Sequence, residues 1–158
     1  MKAITIMQPY ASLVASGAKQ IETRCWSTNY RGPIAIHAGK KWTADQQELI
    51  KRDPFLSALF SGNKKMSIKK RYQLLPFGAV IAIAELVDCV RMVEQTTQIV
   101  TGKVIESKLE NGQIILGNEL VFGNYETGYY AWILENVRPI DPVPAKGQQR
   151  IWNWEGNK

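Results

Sequence analysis

The sequence predicts an α+β domain in which a small barrel of strands carries helical insertions, and three observations lead there. Strand-like alternation recurs along the chain, from Ala3–Met7 to Tyr129–Val137. Helical spacing is confined to short stretches near Pro9–Ser16 and Thr43–Phe60. Asn111-Gly112 lies between two segments of strand character, KVIESKLE and QIILG, and is the strongest hairpin signal in the chain. With 158 residues the chain is long enough for one domain with a core and short for two, so a single domain over 1–158 is expected.

Taken in order, Ala3–Met7 alternates as a short strand. In Pro9–Ser16, the apolar residues Ala11, Leu13 and Val14 recur at near-helical spacing, and Gly17 is placed to end that helix. KQIETRCW then reads as a strand. One face carries Ile21, Thr23 and Cys25 and suits a core; the other carries Glu22, Arg24 and Trp26. After the loop STNYRG, Pro33–Ala38 forms a third strand. Thr43 is a good N-cap for a helix running to about Phe60. Lys64–Arg71 is a basic helix or loop. Ala79–Cys89 is apolar on both faces, as a central strand requires. Thr96–Gly102 has no clear pattern. Tyr129–Val137 is the last strand, Pro139, Pro142 and Pro144 force an extended tail, and KGQQRIWNW is expected to pack back as a helical turn on Trp152.

Composition narrows the function. At 45% hydrophobic and 22% charged, the chain can bury a core rather than remain disordered. No apolar run approaches a transmembrane length, and the N-terminus has no apolar segment with a small-residue cleavage site, so a cytoplasmic protein without a membrane partner is expected. Cys25 and Cys89 are far apart and His37 is the sole histidine, which argues against a zinc site; neither metal nor cofactor is expected. The net charge of +6 favours a polyanionic partner such as RNA or DNA.

Several residues carry chemistry. Glu22 and Arg24, two apart on a strand, have Cα atoms roughly 7 Å apart and line one face together. The Arg24 guanidinium fork suits a phosphate or a base edge, and Trp26 can stack on an unpaired base. Lys19, in the turn before this strand, lies near Arg24, and like-charge repulsion there lowers a lysine pKa. Glu85 shares a strand face with Ile81, Ile83 and Val87, so it is expected to bond a basic partner such as Arg24 or Lys19, or to face solvent at a rim. His37 stands near a strand end and is followed by Lys40 and Lys41, a basic end fit for a phosphate. Lys64, Lys65, Lys69, Lys70 and Arg71 form the densest basic run. Tyr129, Tyr130 and Trp132 read as core, with Tyr129 near a rim.

Three segments together resemble the ASCH family, named for activating-signal-cointegrator homology: QPYASLVASGAKQIETRCW with its G-x-K-x-x-E-x-R signature (Gly17, Lys19, Glu22, Arg24), RGPIAIHAGKK, and GYYAWILENVRPIDPVPAKGQQRIW. The resemblance implies a PUA-like β-barrel with a cleft beside the signature strand that receives RNA or a related ligand. Together with the chemistry above, Lys19, Arg24, Trp26, His37, Lys40, Lys41 and Tyr129 are the expected nucleic-acid-binding set, for RNA, DNA or a nucleoside-like molecule. Some small members are amidohydrolases acting on N4-acetylcytidine, and ribonuclease activity has been proposed for others. On that alternative Lys19, Glu22 and Glu85 would be catalytic, supplying a cation for the oxyanion and a base for water. The amidohydrolases resembling this chain carry threonine where Glu22 stands, which leaves only a water-activating route and ranks binding first.

Overall fold

The computed structural model describes residues 1–156. Its elements are β1 (Lys2–Ile6), α1 (Tyr10–Ala15), β2 (Ile21–Arg24), β3 (Gly32–Ala38), α2 (Ala44–Leu49), α3 (Phe55–Phe60), α4 (Ile68–Leu74), β4 (Ala79–Thr97), β5 (Val104–Leu109), β6 (Ile114–Ile115), α5 (Gly117–Val121), β7 (Tyr130–Pro144) and β8 (Ile151–Asn153). The fold is mixed α+β, dominated by an eight-stranded sheet in the order β2-β7-β4-β3-β1-β8, with β5 paired to β4 and β6 to β5. Among the described residues no ladder joins β2 to β8, so hydrogen bonding draws an open sheet where the sequence led us to expect a closed barrel. No helix among them is long and apolar enough to cross a membrane.

Contacts divide the chain into two compact units. One comprises residues 1–18, 33–84 and 136 onward, the other 19–32 and 85–135; β4 and β7 each contribute to both.

In the first unit β1 runs parallel to β3, with Thr5 opposite His37, and antiparallel to β8, with Ala3 opposite Trp152. β3 is buried from Ile34 through Ala38, as expected of a strand flanked by neighbours on both sides. Ala3, Ala35, Val80 and Trp152 pack together, and the segment expected as a helical turn on Trp152 is strand β8, paired along β1. Helix α1 stops as expected. Gly17 takes φ +81°, a left-handed conformation that costs glycine nothing, and its N–H bonds the Val14 carbonyl. Thr43 caps α2 in a reciprocal box with Gln46. The single helix expected to reach Phe60 is two, α2 and α3, parted at Pro54, which can begin a helix but not continue one. Ile50, just past α2, packs with Leu56 and Phe60 of α3 and with Leu75, just past α4.

In the second unit β2 runs antiparallel to β7, pairing Ile21 with Ile133, Glu22 with Trp132, Thr23 with Ala131 and Arg24 with Tyr130. The patternless stretch after Thr96 completes β4 and turns into β5. Asn111-Gly112 closes the expected hairpin: Gly112 has φ +89°, and Ser107 faces Ile115 across the two strands. Ile21, Val90, Met92, Leu109, Ile115, Tyr125 and Ala131 form this unit's core.

Candidate functional site

The residues singled out in the sequence fall into two groups, one in each unit. The first is organised around β2. Lys19 is 1% exposed, and its Nζ donates to the Ile21 carbonyl and, at 2.6 Å, to the Phe122 carbonyl, with a Glu22 carboxylate oxygen at 3.7 Å. Glu22 in turn holds the Arg24 Nε at 3.1 Å. Burial pushes the Lys19 pKa down. The like charge of Arg24 acts in the same direction but is a lesser cause, and Glu22 and Glu119 oppose it. The lowering expected from Arg24 is therefore present, with desolvation as its main source.

The strand itself is held by a segment whose role the sequence left open. Glu119, on α5, accepts the Gln20 N–H and the Ile21 N–H, each at 3.0 Å and each on a different carboxylate oxygen. The two amides stand at the start of the β2–β7 ladder, Gln20 just before it and Ile21 its first residue, and the carboxylate satisfies them in charge-assisted bonds. Phe122, one turn further, supplies the carbonyl for Lys19, and the Asn124 N–H donates to Thr23 Oγ1 at 2.9 Å. Gly123 fits because a Cβ there would lie 2.8 Å from the Thr23 methyl. No spacing rule links positions 119–124 to 19–24; only the fold brings them together.

β2 ends at Arg24, so Trp26 lies in the bend beyond it rather than on the strand. Its ring meets Trp132 edge-on, 4.7 Å between centroids, and its carbonyl accepts the Trp132 indole N–H at 3.3 Å. Cys25, expected on the core face with Ile21, is exposed for the same reason: the alternation of the strand has stopped. Glu85, on β4, is half-buried, and burial followed by the Glu85 charge raises the Tyr30 pKa. Tyr129 packs against the unit's apolar core.

The second group lies at the end of β3. A pocket of about 860 Å³ is lined by thirteen residues, among them His37, Lys40, Lys41, Lys146, Gly147 and Gln148. Three lysines and no carboxylate contribute to this wall, which gives it the field of an anion site. Its volume lies within the usual range for small-molecule sites. Lys40 runs across Gly78, where any Cβ would collide with its stem. Lys146 and Gly147 come from the proline-bearing tail, which the sequence led us to expect as a helical turn on Trp152 and not as part of this wall.

His37 is the buried member, 1% exposed. Its Nε2 is 3.0 Å from the Ala145 carbonyl, so Nε2 carries the proton and Nδ1 presents a bare lone pair. Nδ1 is buried and meets no donor among the described residues. Leaving such an acceptor unpaired costs about 1–3 kcal/mol. Trp152 packs edge-on against the ring at 5.6 Å and is itself fixed by a bond from Nε1 to Thr5 Oγ1 at 3.2 Å. Burial lowers the His37 pKa and the Lys40 charge adds to that, while the Ala145 bond opposes it; the ring is neutral at pH 7.

The dense basic run divides. Lys64, Lys65, Lys69 and Lys70 are exposed, but Arg71 is buried, donating to the carbonyls of Ile50, Asn63 and Lys64, and joins the helices rather than facing a ligand. No cluster of three or more His, Cys, Asp or Glu side chains is brought together among the described residues. The family model of the ASCH domain matches residues 4–144 of the chain. Comparison with curated proteins finds no match.

Proposed function

Because the chain belongs to the ASCH domain family, we propose that it is a nucleic-acid-binding domain that takes single-stranded or modified RNA, or DNA, through the pocket at the end of β3. The observation that carries this reading is the pocket wall: Lys40, Lys41 and Lys146 with no acidic residue, around a volume that accommodates a nucleotide. Arg24 and Trp26 supply a second cation and aromatic pair in the other unit. Arg24 is oriented by Glu22 and partly exposed, a guanidinium suits a phosphate or a base edge, and Trp26, two residues on, is half-buried. The alternative hydrolytic role for Lys19, Glu22 and Glu85 has less support. Lys19 already serves two carbonyls and a carboxylate, and Glu22 is committed to both neighbouring cations.

The reading is tested by fluorescence anisotropy with labelled single-stranded RNA and DNA across a salt series. Binding should weaken with salt, and Lys40→Gln/Lys41→Gln/Lys146→Gln should flatten that dependence. At a slope of about −0.7 per neutralised phosphate, three lysines account for about two units of log K against log salt. A wild-type slope retained by the triple variant would remove the pocket from the interface.

A further inference from the structure

We propose that the β3-end pocket reads the base of a single nucleotide through His37, whose Nδ1 accepts an N–H from that base while the lysines hold its phosphate. The inference rests on the nucleic-acid reading above and adds the chemistry selected there. A neutral imidazole has one donor and one acceptor. Here the Ala145 carbonyl uses the donor, so the fold sets the tautomer and points the acceptor role at Nδ1. That nitrogen is buried and has no donor among the described residues, although its ring lines the pocket. A buried acceptor that the protein leaves unpaired is a group calling for a donor from elsewhere, and every nucleobase carries an N–H on its pairing edge.

Gly147 lines the same pocket and lies against the ring: a Cβ there would stand 2.7 Å from Nδ1 and 2.8 Å from Thr5 Oγ1, so an entering donor reaches Nδ1 where this loop residue gives way. The groups packed on the ring from β1 and β8, Thr5 and Trp152, carry no charge. The charges facing the pocket are the three lysines, which attract a phosphate and disfavour protonation of the ring. A base donor and a phosphate are thus addressed by separate parts of one wall: the first by a buried neutral acceptor, the second by solvent-exposed cations.

The test uses the whole chain and exploits its sole histidine, since ¹⁵N-histidine labelling reports on His37 alone. The four nucleoside 5′-monophosphates and inorganic phosphate are titrated into the protein, and affinities are compared with the Nδ1 resonance. At least one nucleotide should bind about tenfold or more tightly than phosphate, and should move the Nδ1 resonance where phosphate does not. His37→Phe should bring nucleotide affinity down to that of phosphate and leave phosphate affinity within about twofold. Gly147→Ala, which keeps the histidine, should weaken nucleotide in the same way. Nucleotide binding with an unmoved Nδ1 resonance overturns the proposal, even if His37→Phe does not fold. Oligonucleotide binding without any preference for nucleotide over phosphate overturns it alone, leaving the parent reading intact. Failure of wild-type protein to bind any oligonucleotide removes both.

Discussion

Lys19→Met should unfold the domain more readily, and the size of the effect follows from what the ammonium holds. Methionine keeps much of the stem's packing but removes the donor to the Ile21 and Phe122 carbonyls and the charge 3.7 Å from Glu22. Breaking a buried ion pair by deleting one member costs about 3–5 kcal/mol. Glu22 keeps its second cation, Arg24 at 3.1 Å, so its charge is not orphaned and the loss belongs at the low end, about 3 kcal/mol. With a urea m-value of about 2 kcal/mol/M, the midpoint should fall by about 1.5 M. Urea denaturation followed by circular dichroism and by tryptophan fluorescence measures it. A shift under about 0.3 M would refute the reasoning, because it would mean that the two carbonyls and Glu22 do without the ammonium.

Other outcomes follow from the same geometry. Glu119→Gln keeps the shape but leaves one acceptor oxygen for two N–H donors and turns an NH2 toward the other; amide exchange at Gln20 or Ile21 should accelerate about tenfold or more, and unchanged protection at both would show the clamp to be idle. Gly123→Ala should destabilise by about 1–3 kcal/mol, since its Cβ must displace the Thr23 methyl or the Tyr125 ring; a thermal midpoint equal to wild type would count against that close approach. Folded His37 has a pKa below its ordinary 6.5, so the unfolded chain takes up a proton first as pH falls. The stability contributed by the buried neutral ring is therefore present above about pH 6.5 and lost on acidification through the lower folded value. Urea midpoints should fall from pH 7 toward pH 5 more steeply in wild type than in His37→Phe, and parallel profiles would contradict the assignment.

How much of this was legible in the sequence depends on the range of the interaction. Local chemistry was readable: the Thr43–Gln46 box, the Gly17 stop and the Asn111-Gly112 turn each depend on four or five consecutive residues. Period-2 alternation found β2 but overran it by two residues, because nothing in TRCW marks where pairing with β7 ceases. The tail was misread for a related reason. RIWNW is equally compatible with a turn and with a strand, and its pairing with β1 is a choice made about 150 residues away. Site residues followed the same rule. Lys19, Glu22 and Arg24 came from one contiguous motif, whereas Glu119, Phe122 and Lys146 became visible only when the fold placed them.

The signature residues themselves do unlike work, and their exposure orders them. The side chain of Lys19 is 1% exposed, that of Glu22 11% and that of Arg24 25%. The buried lysine ties β2 to the segment after α5; the glutamate links that lysine to the arginine; and the arginine retains access to solvent. The three charged residues of the motif thus run from interior to surface within six positions, the carboxylate between the two cations linking them. A substitution at the buried end should be read first as a change in stability, and one at the exposed end first as a change in binding. Arg24→Ala puts that order to the test: it should weaken single-stranded oligonucleotide binding by about tenfold, in the range of a lost charge-assisted contact, while moving the urea midpoint far less than Lys19→Met. Equal losses of stability in the two variants, with binding by Arg24→Ala unimpaired, would make the whole motif a structural strut.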